Sequence, residues 1–221
     1  MKMKNRLITF SGADCCGKST QIQLLKEYFD NNNIKYYSVW SRGGCTPGIE
    51  FLKSLVRRGK KMSDEEKIAD SVRIHKNPRK SRLLLMLSII DICLYYGIYI
   101  RLKLIKSNVI CDRYMWDALI DFMIKYSTVD VEHGFTWKLF SKLCTKPDIS
   151  FVFYVSPEEA SLRGEKKHER NAENLEQRIF RNNLYTEKIS RNKWMYSIDS
   201  KKTIEQIHNE IIEIMSDIDR H

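Results

Sequence analysis

Residues 12–20 read Gly-Ala-Asp-Cys-Cys-Gly-Lys-Ser-Thr. The spacing G-x-x-x-x-G-K-[ST] suits the holding of a row of phosphate groups. Glycines at 12 and 17 let the backbone curl until successive N–H groups converge on phosphate oxygens, and a helix starting behind them adds the positive end of its dipole. Lys18 can reach β- and γ-phosphates, and the Ser19 hydroxyl is a ligand for Mg²⁺. The stretch Gly12, Ala13, Asp14, Cys15, Cys16, Gly17, Lys18, Ser19 and Thr20 is therefore the candidate cradle for the phosphates of ATP. The plainer reading is a glycine-containing turn with a chance lysine. An apolar run at residues 7–10 before it and a helical pattern after it favour the cradle.

A second cluster stands at "NVICDRY", residues 108–114. An apolar strand there would deliver Asp112 and Arg113 to its carboxyl end, where parallel sheets bind ligands. The Asp112 carboxylate can order the water shell of Mg²⁺, and the Arg113 guanidinium can grip a phosphate through two parallel hydrogen bonds. A strand-end salt bridge is the alternative. Other candidates are weaker. The five histidines, at 75, 133, 168, 208 and 221, lie in polar or terminal settings without ligand spacing. The six cysteines form no CxxC pair and no Cys/His metal pattern, so they read as reduced thiols in a cytoplasmic protein.

To bring these groups together the chain must alternate strands and helices. Residues 7–10, 35–40, 108–112, 149–155 and 193–199 are short apolar, β-branched or aromatic runs. The first and the last three are each followed by a helical pattern, the final one over residues 203–218. That alternation predicts an α/β fold with a parallel five-stranded sheet covered by helices on both faces. Residues 1–221 read as a single domain, because the length supports one buried core and no repeat or Pro/Gly-rich linker divides it. The hydrophobic share of 43% is ordinary for a globular domain. A net charge of +10 implies an anionic partner, but does not separate nucleotides from nucleic acid or an acidic membrane surface. The basic stretches at residues 57–61 and 73–82 lack interleaved aromatics and read as solvated helix ends. Residues 83–100 are almost wholly apolar and long enough to span a bilayer. Asp91 at their centre, and the need for both flanks to join one fold, favour instead a helix buried on most of its faces. The amino terminus runs straight into the glycine turn, with no room for a signal peptide's apolar core and cleavage site.

Together these residues resemble the thymidylate kinase branch of the nucleoside monophosphate kinases. The phosphate loop of that family has the form G-x-[DE]-x-x-G-K-[ST], matched by Gly12, Asp14, Gly17, Lys18 and Ser19. A glycine-proline loop after its second strand carries an arginine, resembled by "SRGGCTPG" with Arg42. A strand ends in D-R-[YH], matched by Asp112, Arg113 and Tyr114. The passage "YVSPEEASLRGEKKHER" is similar to the family's run from a strand into a lid, here about residues 161–174. The resemblance implies a P-loop NTPase fold with a small basic lid. It also implies transfer of the γ-phosphoryl of ATP, with Mg²⁺, to a nucleoside monophosphate such as dTMP. Lys18 and Arg113 would be catalytic, Arg42 and Arg113 would anchor the acceptor beside Tyr114, and Asp14 would lie near its sugar. An arginine of the lid or of the loop interior neutralises the transferring group in that family. Here the interior is Cys15–Cys16, so the task falls to Arg163, Lys166, Lys167 or Arg170. A solvated helix end accounts equally well for that basic cluster.

The acceptor end departs from the family. Counting back from D-R-Y, the family carries a phosphate-gripping arginine on the long helix in a run like "DRAQH". This chain has Asp91 there, then Ile92, Cys93 and Leu94. Arg82 is nine residues away, about 13 Å along a helix. After D-R-Y the family runs toward serine and A-Y-Q, whereas this chain reads "MWDALIDF" with Asp117 and Asp121. Carboxylates repel phosphate but hydrogen-bond hydroxyls and amines. Asp91 and Asp117 therefore join Asp14, Arg42, Arg113 and Tyr114 as candidate acceptor contacts. Two further readings stay open: a kinase of another hydroxyl-bearing metabolite, such as a nucleoside or sugar, and a non-catalytic nucleotide-binding protein whose basic face meets nucleic acid. The expected partners are ATP and a small phosphate acceptor, with a homodimer compatible and a membrane not among them.

Overall fold

The apolar runs of the sequence become strands in the computed structural model, which describes residues 5–40, 78–166 and 175–220. Arg42, Lys167 and Arg170, with residues 167–174 of the expected lid, lie outside the described residues. In chain order the elements are β1 (Leu7–Gly12), α1 (Lys18–Asn31), β2 (Tyr36–Trp40), α2 (Pro78–Leu94), a π-helical turn (Tyr95–Tyr99) and α3 (Ile100–Leu104). There follow β3 (Asn108–Asp112), α4 (Met115–Lys125), α5 (Phe135–Leu143), β4 (Ile149–Tyr154), α6 (Pro157–Lys166), α7 (Leu175–Ser190), β5 (Tyr196–Asp199) and α8 (Ile204–Arg220). They divide between two compact units: Met1–Ser41, Lys103–Asp117 and Lys146–His221 form one, Arg42–Leu102 and Ala118–Thr145 the other.

The first unit holds the sheet. Among the described residues its five strands run in the order β2-β3-β1-β4-β5, and every pairing is parallel. All six residues of β1 are buried, so both faces of the sheet's centre are shielded from water. Alternation along the strands sends Ile8, Phe10, Ile110, Phe151 and Phe153 into one core with Ile22, Leu25 and Phe29 of α1 and Ile207 and Ile211 of α8. The Phe10 ring lies 5.3 Å from Phe151 and 5.9 Å from Phe153, within the range of favourable ring contacts. The strand expected over residues 193–199 begins only at Tyr196. Trp194 is apolar for a different reason: its ring stacks on Tyr185 of α7, with centroids 5.9 Å apart.

In the second unit, α2 opens into the π-helical turn where Thr145 intrudes on the backbone ladder. The Tyr96 carbonyl accepts from Thr145 Oγ1 at 2.7 Å and from Thr145 N at 3.4 Å. Helix Arg79–Leu104 is long and apolar enough to cross a membrane, and 44% of its most apolar window is buried. The expectation of a helix buried on most of its faces is met on one side only. Leu84, Leu85, Ile89, Ile92, Tyr96 and Ile100 are buried, whereas Leu83, Met86, Ile90, Leu94, Ile98 and Leu102 recur every three or four residues as an exposed stripe. Asp91 is fully buried.

Candidate active site

The order β2-β3-β1-β4-β5 places the carboxyl end of β1 where the chain's course through the sheet reverses direction, which is where open parallel sheets bind ligands. Gly12 ends β1 there at φ +137°, and a Cβ built on it would lie 2.4 Å from the Phe153 carbonyl oxygen. Only glycine fits that approach. Cys15, at φ 62°, and Gly17, at φ +93°, turn the chain through the left-handed region into α1. Residues 12–17 thus form a tight loop at the amino end of a helix, an arrangement suited to anions. Lys18 is buried, and its Nζ donates to Gly12 O at 2.8 Å, Ala13 O at 2.7 Å and Cys16 Sγ at 3.3 Å. Ser19 and Thr20 are exposed in the first turn of α1.

The strand next door supplies the second cation. Asp112 ends β3 opposite Phe10 in the β1–β3 register, and the backbone then turns left-handed at Arg113, φ 73°. Arg113 N donates to Phe10 O at 2.8 Å, and its buried guanidinium reaches back over β1. Nη1 donates to Gly12 O at 3.2 Å and to the Tyr185 hydroxyl at 3.3 Å, while Nη2 pairs with Asp14 Oδ1. Lys18 and Arg113 therefore converge on one carbonyl oxygen, that of Gly12.

Asp117, a candidate acceptor contact, is tied into the protein. It is buried, and its oxygens accept hydrogen bonds from Ser11, Gly12, Tyr114 and Tyr185. Tyr114 is buried as well. Arg163 of α6 is half-buried and already engaged: Nε pairs with Glu159 at 2.9 Å, and Nη2 donates to Ser200 O at 2.9 Å.

Sequence reasoning missed the face that α7 turns toward the loop. Arg178, Arg181 and Asn182 line a small cleft with Ala13 and Asp14 of the loop, and Tyr185 reaches Arg113 and Asp117. Arg178 Nη1 donates to Ala160 O at 3.3 Å, and Gly164 makes room for it, since a Cβ there would lie 2.9 Å from Nη2. One signal was available. Arg178, Arg181, Leu184, Tyr185 and Lys188 are the buried residues of α7, so polar residues occupy its core-facing spacing.

A family model described as thymidylate kinase matches residues 10–211. A thymidylate kinase of Plasmodium falciparum (isolate 3D7) is 28% identical over 98% of this chain and 92% of its own length. One from Fervidobacterium nodosum is 28% identical over 95% and 98%, and one from Dictyostelium discoideum is 27% identical over 97% and 86%. A match that leaves out only the two ends, onto an all-parallel sheet with its phosphate loop at β1, settles the kinship: the chain belongs to the thymidylate kinase family, enzymes that use ATP and Mg²⁺ to phosphorylate a nucleoside monophosphate.

Proposed function

We propose that residues 1–221 work as one dTMP kinase, with residues 12–20 cradling the phosphates of ATP and residues 161–174 as its lid. The observation that carries this reading is the convergence of Lys18 Nζ and Arg113 Nη1 on Gly12 O, 2.8 and 3.2 Å away. Two cations held at the mouth of one anion-binding loop are suited to a group that gains negative charge as it is transferred. Lys18 exchanges its loop carbonyls for phosphate oxygens when nucleotide enters. The donors present also fit Mg²⁺, a hard ion that prefers oxygen and keeps several waters. They are the exposed Ser19 hydroxyl in the first turn of α1 and the Asp112 carboxylate at the end of β3, which would act through a water. When bound, the ion screens the charge of the phosphates.

On the acceptor side, Asp14, Arg42, Arg113 and Tyr114 are the proposed contacts, and relatives named as thymidylate kinases support dTMP as the acceptor. Arg163 must release Glu159 and Ser200 to reach the transferring group, so Arg170 in the lid and Arg178 and Arg181 beside the loop share that task. The exposed stripe along helix Arg79–Leu104 supports a homodimer, and the scattered free cysteines support a cytoplasmic setting. A second reading is favoured by one feature of the sequence, Asp91 standing at the place where the family has an arginine. In it the acceptor carries a hydroxyl or amine in place of that phosphate contact. A panel of acceptors with ATP, scored by ADP release, separates the two. Turnover on dTMP is expected. Turnover confined to nucleosides or sugars would overturn that acceptor assignment, and ATP hydrolysis with no acceptor dependence would remove both.

A further inference from the structure

Asp117 lies in the first turn of α4, is 1% exposed, and is engaged on both carboxylate oxygens. Oδ2 accepts from Ser11 Oγ at 2.5 Å and from Tyr114 N at 2.9 Å. Oδ1 accepts from Gly12 N at 3.2 Å and from Tyr185 Oη at 2.6 Å, with Arg113 Nη1 at 3.6 Å. Its partners come from β1, the D-R-Y turn and α7, and all of them donate. An ionised carboxylate accepts on two oxygens and donates nothing. Asparagine would press an NH₂ group against donors, and serine would offer a single oxygen.

We propose that Asp117 is a positioning residue for phosphoryl transfer, setting the phosphate loop, Arg113 and α7 in one register. Gly12 links the carboxylate to both cations. Its N–H is held by Asp117, and its carbonyl oxygen is the point on which Lys18 and Arg113 converge. Glycine at φ +137° has no side chain to hold that peptide plane, so the carboxylate supplies the constraint from outside. Tyr185 extends it, because its hydroxyl accepts from Arg113 and donates to Asp117. Tyr185 sits on α7, so the carboxylate also ties the phosphate loop to that helix. Asp117 acts through Gly12 and Arg113 and need not touch nucleotide.

The test uses Asp117→Asn, Tyr185→Phe and the double variant in the full chain, with kcat, KM for ATP and the rise in Tm produced by ADP. The inference rests on the loop holding ATP. If ADP does not raise the Tm of the wild-type protein, both fall; a normal wild-type response with unaffected variants overturns this inference alone. Asp117→Asn should lower kcat on the order of 10²-fold, as expected when reacting groups are displaced by a fraction of an ångström, and should shrink the ADP-induced shift. Tyr185→Phe, which removes one hydroxyl, should lower kcat about 3–10-fold. The double variant should be no worse than Asp117→Asn, because Tyr185 works through that carboxylate. Strictly additive losses, or a lower Tm with kcat unchanged well below it, would reduce Asp117 to a structural prop. If Asp117→Asn does not fold, Tyr185→Phe decides alone, and wild-type kcat and KM in that variant overturn the proposal.

Discussion

Lys18 lies folded over the loop it is expected to serve, bonded to the carbonyls of Gly12 and Ala13. In the proposed cradle, phosphate oxygens would replace those carbonyls as partners of the ammonium. Lys18→Ala should therefore leave the fold intact, since β1 and the turn at Gly12 are held by the sheet, while kcat falls on the order of 10²-fold or more. Circular dichroism and single-turnover transfer check both halves, and wild-type transfer by a folded variant would remove the phosphate-loop assignment. Lys18, Gly12 and Arg113 were legible in the sequence because the spacing of a phosphate loop and a strand end is set by local backbone geometry. Asp117 and Tyr185 were not legible as partners. Each gets its meaning from residues far away in the chain, Ser11 and Gly12 for one and Arg113 for the other.

At the scale of elements, α1 and α8 pack on the same core, through Ile22, Leu25 and Phe29 on one and Ile207 and Ile211 on the other. His208 lies next to that seam, with Nδ1 buried and without a hydrogen bond. Burial pushes its imidazole below the ordinary value of 6.5, with Glu27 pulling weakly the other way. The folded state thus favours the neutral ring, whereas the unfolded chain protonates at the ordinary value. The stability that His208 contributes is present above that value and is lost as pH falls through the lowered one. Thermal unfolding between about pH 7.5 and about pH 5 should show a decline in Tm that is shallower in His208→Gln. Parallel curves for the two proteins would mean that His208 ionises as freely folded as unfolded. The strands were easy to read because buried parallel strands are short apolar runs, and Trp194 shows the limit of that rule: an apolar residue can belong to a helix contact just outside a strand. α7 was harder, since arginines at core spacing look like a solvated face until the loop opposite them is known.

For the whole molecule, a parallel sheet follows from strands alternating with helices, so it was accessible from sequence, whereas the order β2-β3-β1-β4-β5 was not. The division into two units was not, because each is assembled from separated stretches and neither is bounded by a linker that composition could reveal. The long helix was read correctly as a helix and incompletely as a surface. Its periodicity is masked by apolar residues on every side, so only the fold shows that Leu83, Met86, Ile90, Leu94, Ile98 and Leu102 stay exposed. An exposed apolar stripe along a helix of 26 residues is an expensive surface for a protein alone in water. A bilayer would cover it, but a span requires apolar contact all round, and Asp91 is buried within the protein on the same helix. The proposed second copy of the chain would cover it without that conflict, as two such stripes can pair about a two-fold axis. Sedimentation equilibrium of the wild-type protein should then give a dimer. The double substitution Ile98→Glu and Leu102→Glu should give a monomer with its Tm barely changed, because both side chains are more than half exposed before the change, at 56% and 57%. A wild-type monomer at tens of micromolar would remove the dimer, a variant that stays dimeric would move the interface elsewhere, and co-flotation of the wild-type protein with lipid vesicles, abolished by the same two substitutions, would assign the stripe to a membrane.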